Sequence, residues 1–336
     1  MRIGVSTPVV VQVPGVASEW ERDAGIEDLR TIAQAADSLG FDHLTCSEHV
    51  AVPAADAAAR GAAYWDPLAT LGFLAACTSR IRLGTSVIVL GYHHPLEVAK
   101  RYGTLDRVSG GRLTLGVGVG SLAAEFELLG ADFEDRGRRA DDALRALRAS
   151  LSTTRPAYDG EFYRYDSVVV EPCAAQPRVP IWVGGRTRRS LRRALELGDG
   201  WMPFGLRGEE LAEMLSTVDV PVGFEIVLPV GPLDPSAQPD RAAHRLRALR
   251  DLGATAVTCT LRATSAEHYC DQLEALRAVG EGLWSHVGTA VDPHLGAGDE
   301  KRVGGSEHRD HGGDGGRVRE HRAALDGQLR LQPREQ

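Results

Sequence analysis

Lysine is nearly missing from this 336-residue chain: Lys100 and Lys301 are the only two, and arginine supplies almost all the positive charge. Acidic residues outnumber basic ones, 46 to 38, for a formal net charge of −8. That balance argues against nucleic acid or an anionic membrane surface as a partner. Cysteine is sparse as well. Cys46, Cys77, Cys173, Cys259 and Cys270 are odd in number and never spaced C-x-x-C. A disulfide framework or a zinc site is therefore not expected, and a reducing cytoplasm is the expected setting. No apolar run approaches the ~20 residues of a spanning helix, and MRIGVSTPVVVQVPG lacks the charged-then-apolar pattern of a leader. The expectation is a cytoplasmic protein with no membrane span.

What is present is a regular alternation. Strand-like runs at Arg2–Ser6, His43–Cys46, Ile81–Leu90 and Arg112–Val117 are interleaved with helical patterns at Ala24–Leu39, Asp66–Ser79, Pro95–Val108 and Asp135–Leu151. In Ala24–Leu39 the apolar residues Ile26, Leu29, Ile32, Ala33 and Ala36 fall at helical spacing, and Gly40 supplies a stop. The alternation breaks at Thr154–Val179, where Pro156, Gly160, Pro172 and Pro177 surround the alternating run Phe162–Val170 and predict an inserted hairpin and loop. It resumes with strands at Pro180–Val183, Gly200–Phe204, Val222–Leu228 and Ala254–Thr260. Their helices follow at Thr187–Leu197, Gly208–Ser216, Asp240–Leu252 and Ser265–Val279. Eight strand–helix units favour an α/β fold closed into a single (β/α)8 TIM barrel over residues 1–285.

Beyond about Asp292 the composition turns to Gly, Arg, Asp and His, as in KRVGGSEHRDHGGDGGRVREHR. Such a segment buries too little apolar surface to offset its ordering entropy, so residues 286–336 are expected to be a disordered tail. His308, His311 and His321 read there as incidental, and no metal is expected.

Reacting residues of a barrel sit at the C-terminal ends of its strands. The second strand ends in Ser47-Glu48-His49, and a histidine there suits proton transfer. His93 and His94 precede Pro95 and read as caps of the next helix. The fourth strand runs into Gly116-Val117-Gly118-Val119-Gly120-Ser121, a G-x-G-x-G rather than a dinucleotide fingerprint, whose glycines permit close approach of a flat ligand. The fifth gives Gly184-Gly185-Arg186-Thr187 at a helix start, where free N–H groups and the helix dipole favour an anion, with Arg188 and Arg189 adding charge. Arg192 and Arg193 read as a solvated helix face.

Taken together, these pieces resemble the luciferase-like superfamily, most closely its F420-dependent oxidoreductase branch. The stretches that carry the likeness are RIRLGTSVIVLGYHHPLEVAKRYGTLDRVSGGRLTLGVGVGS from Arg80, GEFYRYDSVVVEP, PIWVGGRTRRSLRRALELGDGWMPF and the SEH at Ser47–His49. The resemblance spans about Arg2 to Val279. It implies a non-proline cis peptide at Ser86–Val87 backing the cofactor ring. It also implies a loop at Val119, Gly120 and Ser121 beside the cofactor side chain, and a phosphate turn at Gly184 and Gly185 with Arg186 following. Glu48 and His49 would be the acidic–His pair near the ring, with His49 catalytic. The sugar-phosphate dehydrogenases of this branch carry Glu at the position of Ser121 and Trp shortly after the histidine. Ser121 and Val50–Pro53 depart from both, which puts that substrate class in doubt. The expected cofactor is coenzyme F420, with FMN as the alternative. The expected activity is hydride transfer to or from an organic substrate, against an FMN-dependent monooxygenase or a non-catalytic flavin or deazaflavin binder. A small-molecule substrate is the partner this implies, and a homodimer is compatible with it.

Overall fold

The structure is a computed structural model that describes residues 1–282. The expected tail at 286–336, with its three histidines, lies outside the described residues. Eight parallel strands follow one another around a ring: β1 (Arg2–Ser6), β2 (His43–Cys46), β3 (Arg82–Thr85), β4 (Leu113–Gly118), β5 (Ile181–Gly184), β6 (Gly200–Met202), β7 (Glu225–Leu233) and β8 (Ala256–Leu261). Each pairs with its sequence neighbour, and β1 pairs with β8 at Ile3↔Val257, so the sheet has no open edge. This is a (β/α)8 TIM barrel.

The helices are α1 (Ile26–Ser38), α2 (Pro67–Cys77), α3 (Pro95–Val108), α4 (Arg136–Ser150), α5 (Arg188–Leu197), α6 (Gly208–Ser216), α7 (Pro239–Asp251) and α8 (Ala266–Val279). Proline at the first turn starts α2, α3 and α7 where a missing N–H costs nothing. Asp66, Thr187 and Ser265 cap α2, α5 and α8 through their side-chain oxygens. In α1, Leu29, Ile32, Ala33 and Ala36 form the buried stripe against the strands.

The periodicity of 2 along each strand divides the apolar residues between two layers. Ile181 and Val183 join the large core between strands and helices, while Trp182 between them packs inside the ring with Met202, Val227 and Ala256. Below that inner layer, the strand starts carry charge. Arg2, Asp42, Arg82 and Glu225 form an ion-pair cluster, with Arg2–Glu225 at 2.6 Å. Fully buried His43 bridges Asp42 and Thr258 at 2.7 and 2.8 Å. The N-terminal end of the barrel is thus plugged, and the open space lies at the other end.

Three expectations change. The single strand at Ile81–Leu90 is broken: β3 stops at Thr85, Ser86–Val87 is a cis peptide, and a two-residue strand at Ile88–Val89 resumes the pairing with β4. β7, expected over Val222–Leu228, runs Glu225–Leu233: Pro229 stays in register opposite Thr258, and the register shift between Val230 and Leu233 accommodates Pro232. Short helices at Ala57–Arg60 and Ala123–Leu128 occupy loops that lacked a periodic signal. Within 154–179 the expected hairpin pairs Tyr158–Asp159 with Arg164–Tyr165. All five cysteines are free thiols, and no helix among the described residues is long and apolar enough to cross a membrane.

Candidate active site

At the C-terminal ends of the strands lies a cavity of about 710 Å³. This is within the range of small-molecule sites. His49, Glu48, Ser86, Val87, Val119, Gly120, Ser121, Gly184, Gly185 and Arg186 all line it. Residues separated by more than a hundred positions meet there because each follows a different strand of one ring.

The floor is the kink after β3. The Ser86 N–H donates to the Cys46 carbonyl at 2.8 Å, the Ser47 hydroxyl donates to the Ser86 carbonyl at 2.7 Å, and the Ser86 hydroxyl reaches the Met202 sulfur at 3.2 Å. The glycines of β4 face this kink. A Cβ on Gly116 would lie 1.8 Å from the Thr85 carbonyl oxygen, and one on Gly118 would lie 2.7 Å from a Val87 methyl. The close approach that those glycines permit is therefore taken up by the protein's own backbone and side chains. Gly185 differs: its φ of +131° at the entry to α5 is open to glycine alone.

On the β2 side, the His49 Nδ1–H donates to Glu125 Oε2 at 2.7 Å. Glu125 is fully buried on the short helix after β4, and its other oxygen accepts the N–H groups of Val50 (2.7 Å) and Ala51 (3.1 Å). The Tyr92 hydroxyl donates to the same Oε2 at 2.9 Å. Burial raises the Glu125 pKa, but the Ala51 N–H, His49 and Tyr92 outweigh it and hold the carboxyl below its usual value. An ionised Glu125 fixes the histidine tautomer. Among the described residues no group bonds the other ring nitrogen, Nε2, which leaves it for whatever enters the cavity. Tyr64 packs edge-on to the ring at 4.6 Å.

Glu48 is not the partner of His49. Its oxygens accept the His93 Nε2–H and the Val89 N–H, each at 2.7 Å, so it pins the kink to the start of α3. His93 is consequently a half-buried ion-pair partner rather than a cap, whereas His94 does cap α3 by accepting from the Leu96 N–H.

The opposite side is cationic. Arg136, Arg186, Arg189 and Arg193 all line the cavity around Gly184, Gly185 and the α5 N-terminus. Arg186 lies over the Phe204 ring at 5.7 Å. Arg189 and Arg193 share Asp141, and Arg136 rests on the Phe133 ring at 3.7 Å with its Nε buried and unbonded. Arg193, read from sequence as solvated, is buried and lines the cavity because it sits one turn along the α5 face that packs on α4. Arg192 is exposed as expected, and Arg188 points away to Glu213 at 2.6 Å. Sequence reasoning missed Glu125, Tyr92, Tyr64, Arg136 and Arg193. The one legible signal was Glu125, a lone acid in the apolar run Leu122–Phe126 just past a strand end.

Residues 1–220 match the family described as luciferase-like monooxygenase. An uncharacterized protein of Mycobacterium tuberculosis is 30% identical over 261 residues, 73% of this chain and 91% of that protein. The F420-dependent glucose-6-phosphate dehydrogenase of Nakamurella multipartita is 31% identical over 181 residues, 53% of this chain and 52% of that enzyme. Among solved structures, the monooxygenase RslO1 from Streptomyces bottropensis shares the fold, with a TM-score of 0.66 at 22% identity over 85% of this chain and 100% of its own. By its matched profile, its barrel and its cavity, this chain belongs to the luciferase-like monooxygenase family.

Proposed function

We propose that this chain is an F420-dependent oxidoreductase that transfers a hydride between deazaflavin F420 and an organic substrate. The observation that carries the reading is the arginine set at the α5 end of the cavity. The N–H groups at the start of α5, beside Gly184 and Gly185, suit a phosphate. Arg186, Arg189, Arg193 and Arg136 bring four positive charges to the surrounding wall, against the one carboxylate, Glu134, that lines it with them. F420 bears an acidic lactyl-glutamyl tail beyond its phosphate, and FMN ends at the phosphate. When bound, the deazaflavin would supply or accept the hydride, with its ring against Ser86–Val87 and beside Val119, Gly120 and Ser121. His49 would hold the reacting oxygen of the substrate through Nε2 and pass a proton there. Glu125 would keep Nδ1 protonated and the ring aimed, and Glu48 would hold the floor through Val89 and His93.

The FMN-dependent monooxygenase reading has its own support. Asp141 neutralises part of the charge of Arg189 and Arg193, and a relative covering the whole barrel is named a monooxygenase. Titrating the purified protein with F420 and with FMN, followed by fluorescence, separates the two. Saturable F420 binding that weakens in Arg186→Ala is the expected result. Tight FMN binding with negligible F420 binding would overturn the deazaflavin assignment.

A further inference from the structure

Within that oxidoreductase reading, we infer that the substrate is an uncharged, mainly apolar molecule with an oxygen presented to His49. The cavity is divided by charge. The four arginines that line it among the described residues follow β5 or belong to α4 and α5, whereas β1 and β2 stand across the ring. There the wall is built from two loops held together as a small antiparallel bridge. Val11 pairs with Tyr64, the Gln12 N–H donates to the Ala63 carbonyl at 3.0 Å, and the Trp65 N–H donates to the Val10 carbonyl at 2.9 Å. This bridge turns Val11, Val13 and Tyr64 toward the cavity, and Leu122 lines it from beyond β4.

Among the described residues no lysine or arginine lines this wall to meet an anion. Arg60 is felt by Tyr64 and Tyr92 but does not line the cavity. The buried charges behind the wall, Glu48 and Glu125, are negative and would repel an anion. A cation fares no better. Both oxygens of each carboxylate are already occupied, by His93 and Val89 in one case and by His49, Tyr92, Val50 and Ala51 in the other. A desolvated ion of either sign would stay uncompensated there, which is costly. What the wall offers is aliphatic and aromatic surface around the open nitrogen of His49, with the uncharged hydroxyls of Ser6 and Ser47 at the ends of β1 and β2.

The test is ligand-observed NMR on the full chain with F420 present, using butanol, hexanol and octanol as probes and glucose-6-phosphate as competitor. Affinity is expected to rise about fourfold for each added methylene. Glucose-6-phosphate is expected to leave bound octanol in place. Val13→Asp, on a half-buried loop position, should weaken octanol on the order of tenfold while F420 binding is retained. A chain-length series that is flat, or displacement of octanol by the sugar phosphate, overturns the inference. The readout needs no turnover. Chain-length-dependent alcohol binding by protein that neither binds nor oxidises reduced F420 would support the apolar wall and defeat only the redox assignment.

Discussion

Glu125 illustrates how little a single side chain reveals before its neighbours are known. In sequence it is one glutamate among many. In the fold it receives four hydrogen bonds and gives His49 its orientation. If His49 moves a proton, His49→Ala should retain cofactor while turnover falls by about 10²–10⁴-fold. Glu125→Gln should give a smaller loss together with a displaced pH–rate profile, since an amide offers Nδ1 either an acceptor or a donor. Wild-type turnover in His49→Ala, at equal cofactor occupancy, would return the histidine to a structural role. His49 itself was legible because a strand end followed by Ser-Glu-His is unusual and its position in a barrel is informative. Its partner was not, since Glu48 is adjacent in sequence yet its carboxylate turns to His93. Adjacency along an extended segment sends successive side chains in different directions.

At the level of elements, the entry to α3 depends on protonation. Burial lowers the His93 pKa, but the hydrogen bond to Glu48 and that carboxylate's charge prevail and raise it above the usual 6.5. A raised value means that the pair stabilises the fold fully below the ordinary histidine pKa and that this contribution fades as pH rises through the folded value. His93→Gln should therefore cost about 1–2 kcal/mol in urea unfolding near pH ~6 and less near pH ~9. A gap that is constant or widens with pH would refute the ion pair as the cause. Elements bounded by local chemistry were readable to the residue: α3 begins at Pro95, and α6 fills the span predicted for it. Those decided by tertiary contacts were not. Nothing local in Ile81–Leu90 announces a break; only the likeness to a known family placed one at Ser86–Val87. β7 keeps Pro232 because its pairing with β8 shifts register there, a feature of the pair rather than of either strand.

For the whole molecule, the two ends of the barrel divide the labour between stability and ligand binding. Eight strand–helix units in sequence were enough to expect a closed ring, because short right-handed crossovers leave few other arrangements. The plug at the N-terminal end was not foreseen, since its members lie at positions 2, 42, 43, 82, 182, 225 and 258 and meet only when the ring closes. Asp42 is its hub. It pairs with Arg82, hydrogen-bonds His43 and lies 4.0 Å from Arg2. Burial alone would raise its pKa, but His43 and the two arginines hold it far below the usual 3.8. Arg82 also stacks over Trp182, which donates its indole N–H to Glu225 at 2.9 Å, so the charges are tied to the inner apolar layer. Removing the hub would leave Glu225 as the one carboxylate facing the half-buried Arg2 and Arg82 and would take a hydrogen-bond partner from buried His43, and Asp42→Ala should cost about 3 kcal/mol in chemical unfolding near neutral pH. Because the folded pKa is depressed, the stabilisation from Asp42 is present above the ordinary carboxylate range and is lost as pH falls through the folded value. The wild-type advantage should therefore shrink in acid. Ligand affinity measured well below the variant's melting temperature should not change, since the cavity lies at the opposite end of the strands. A variant as stable as wild type, or one that stays folded but loses cofactor, would show that the two ends are not separate in this way.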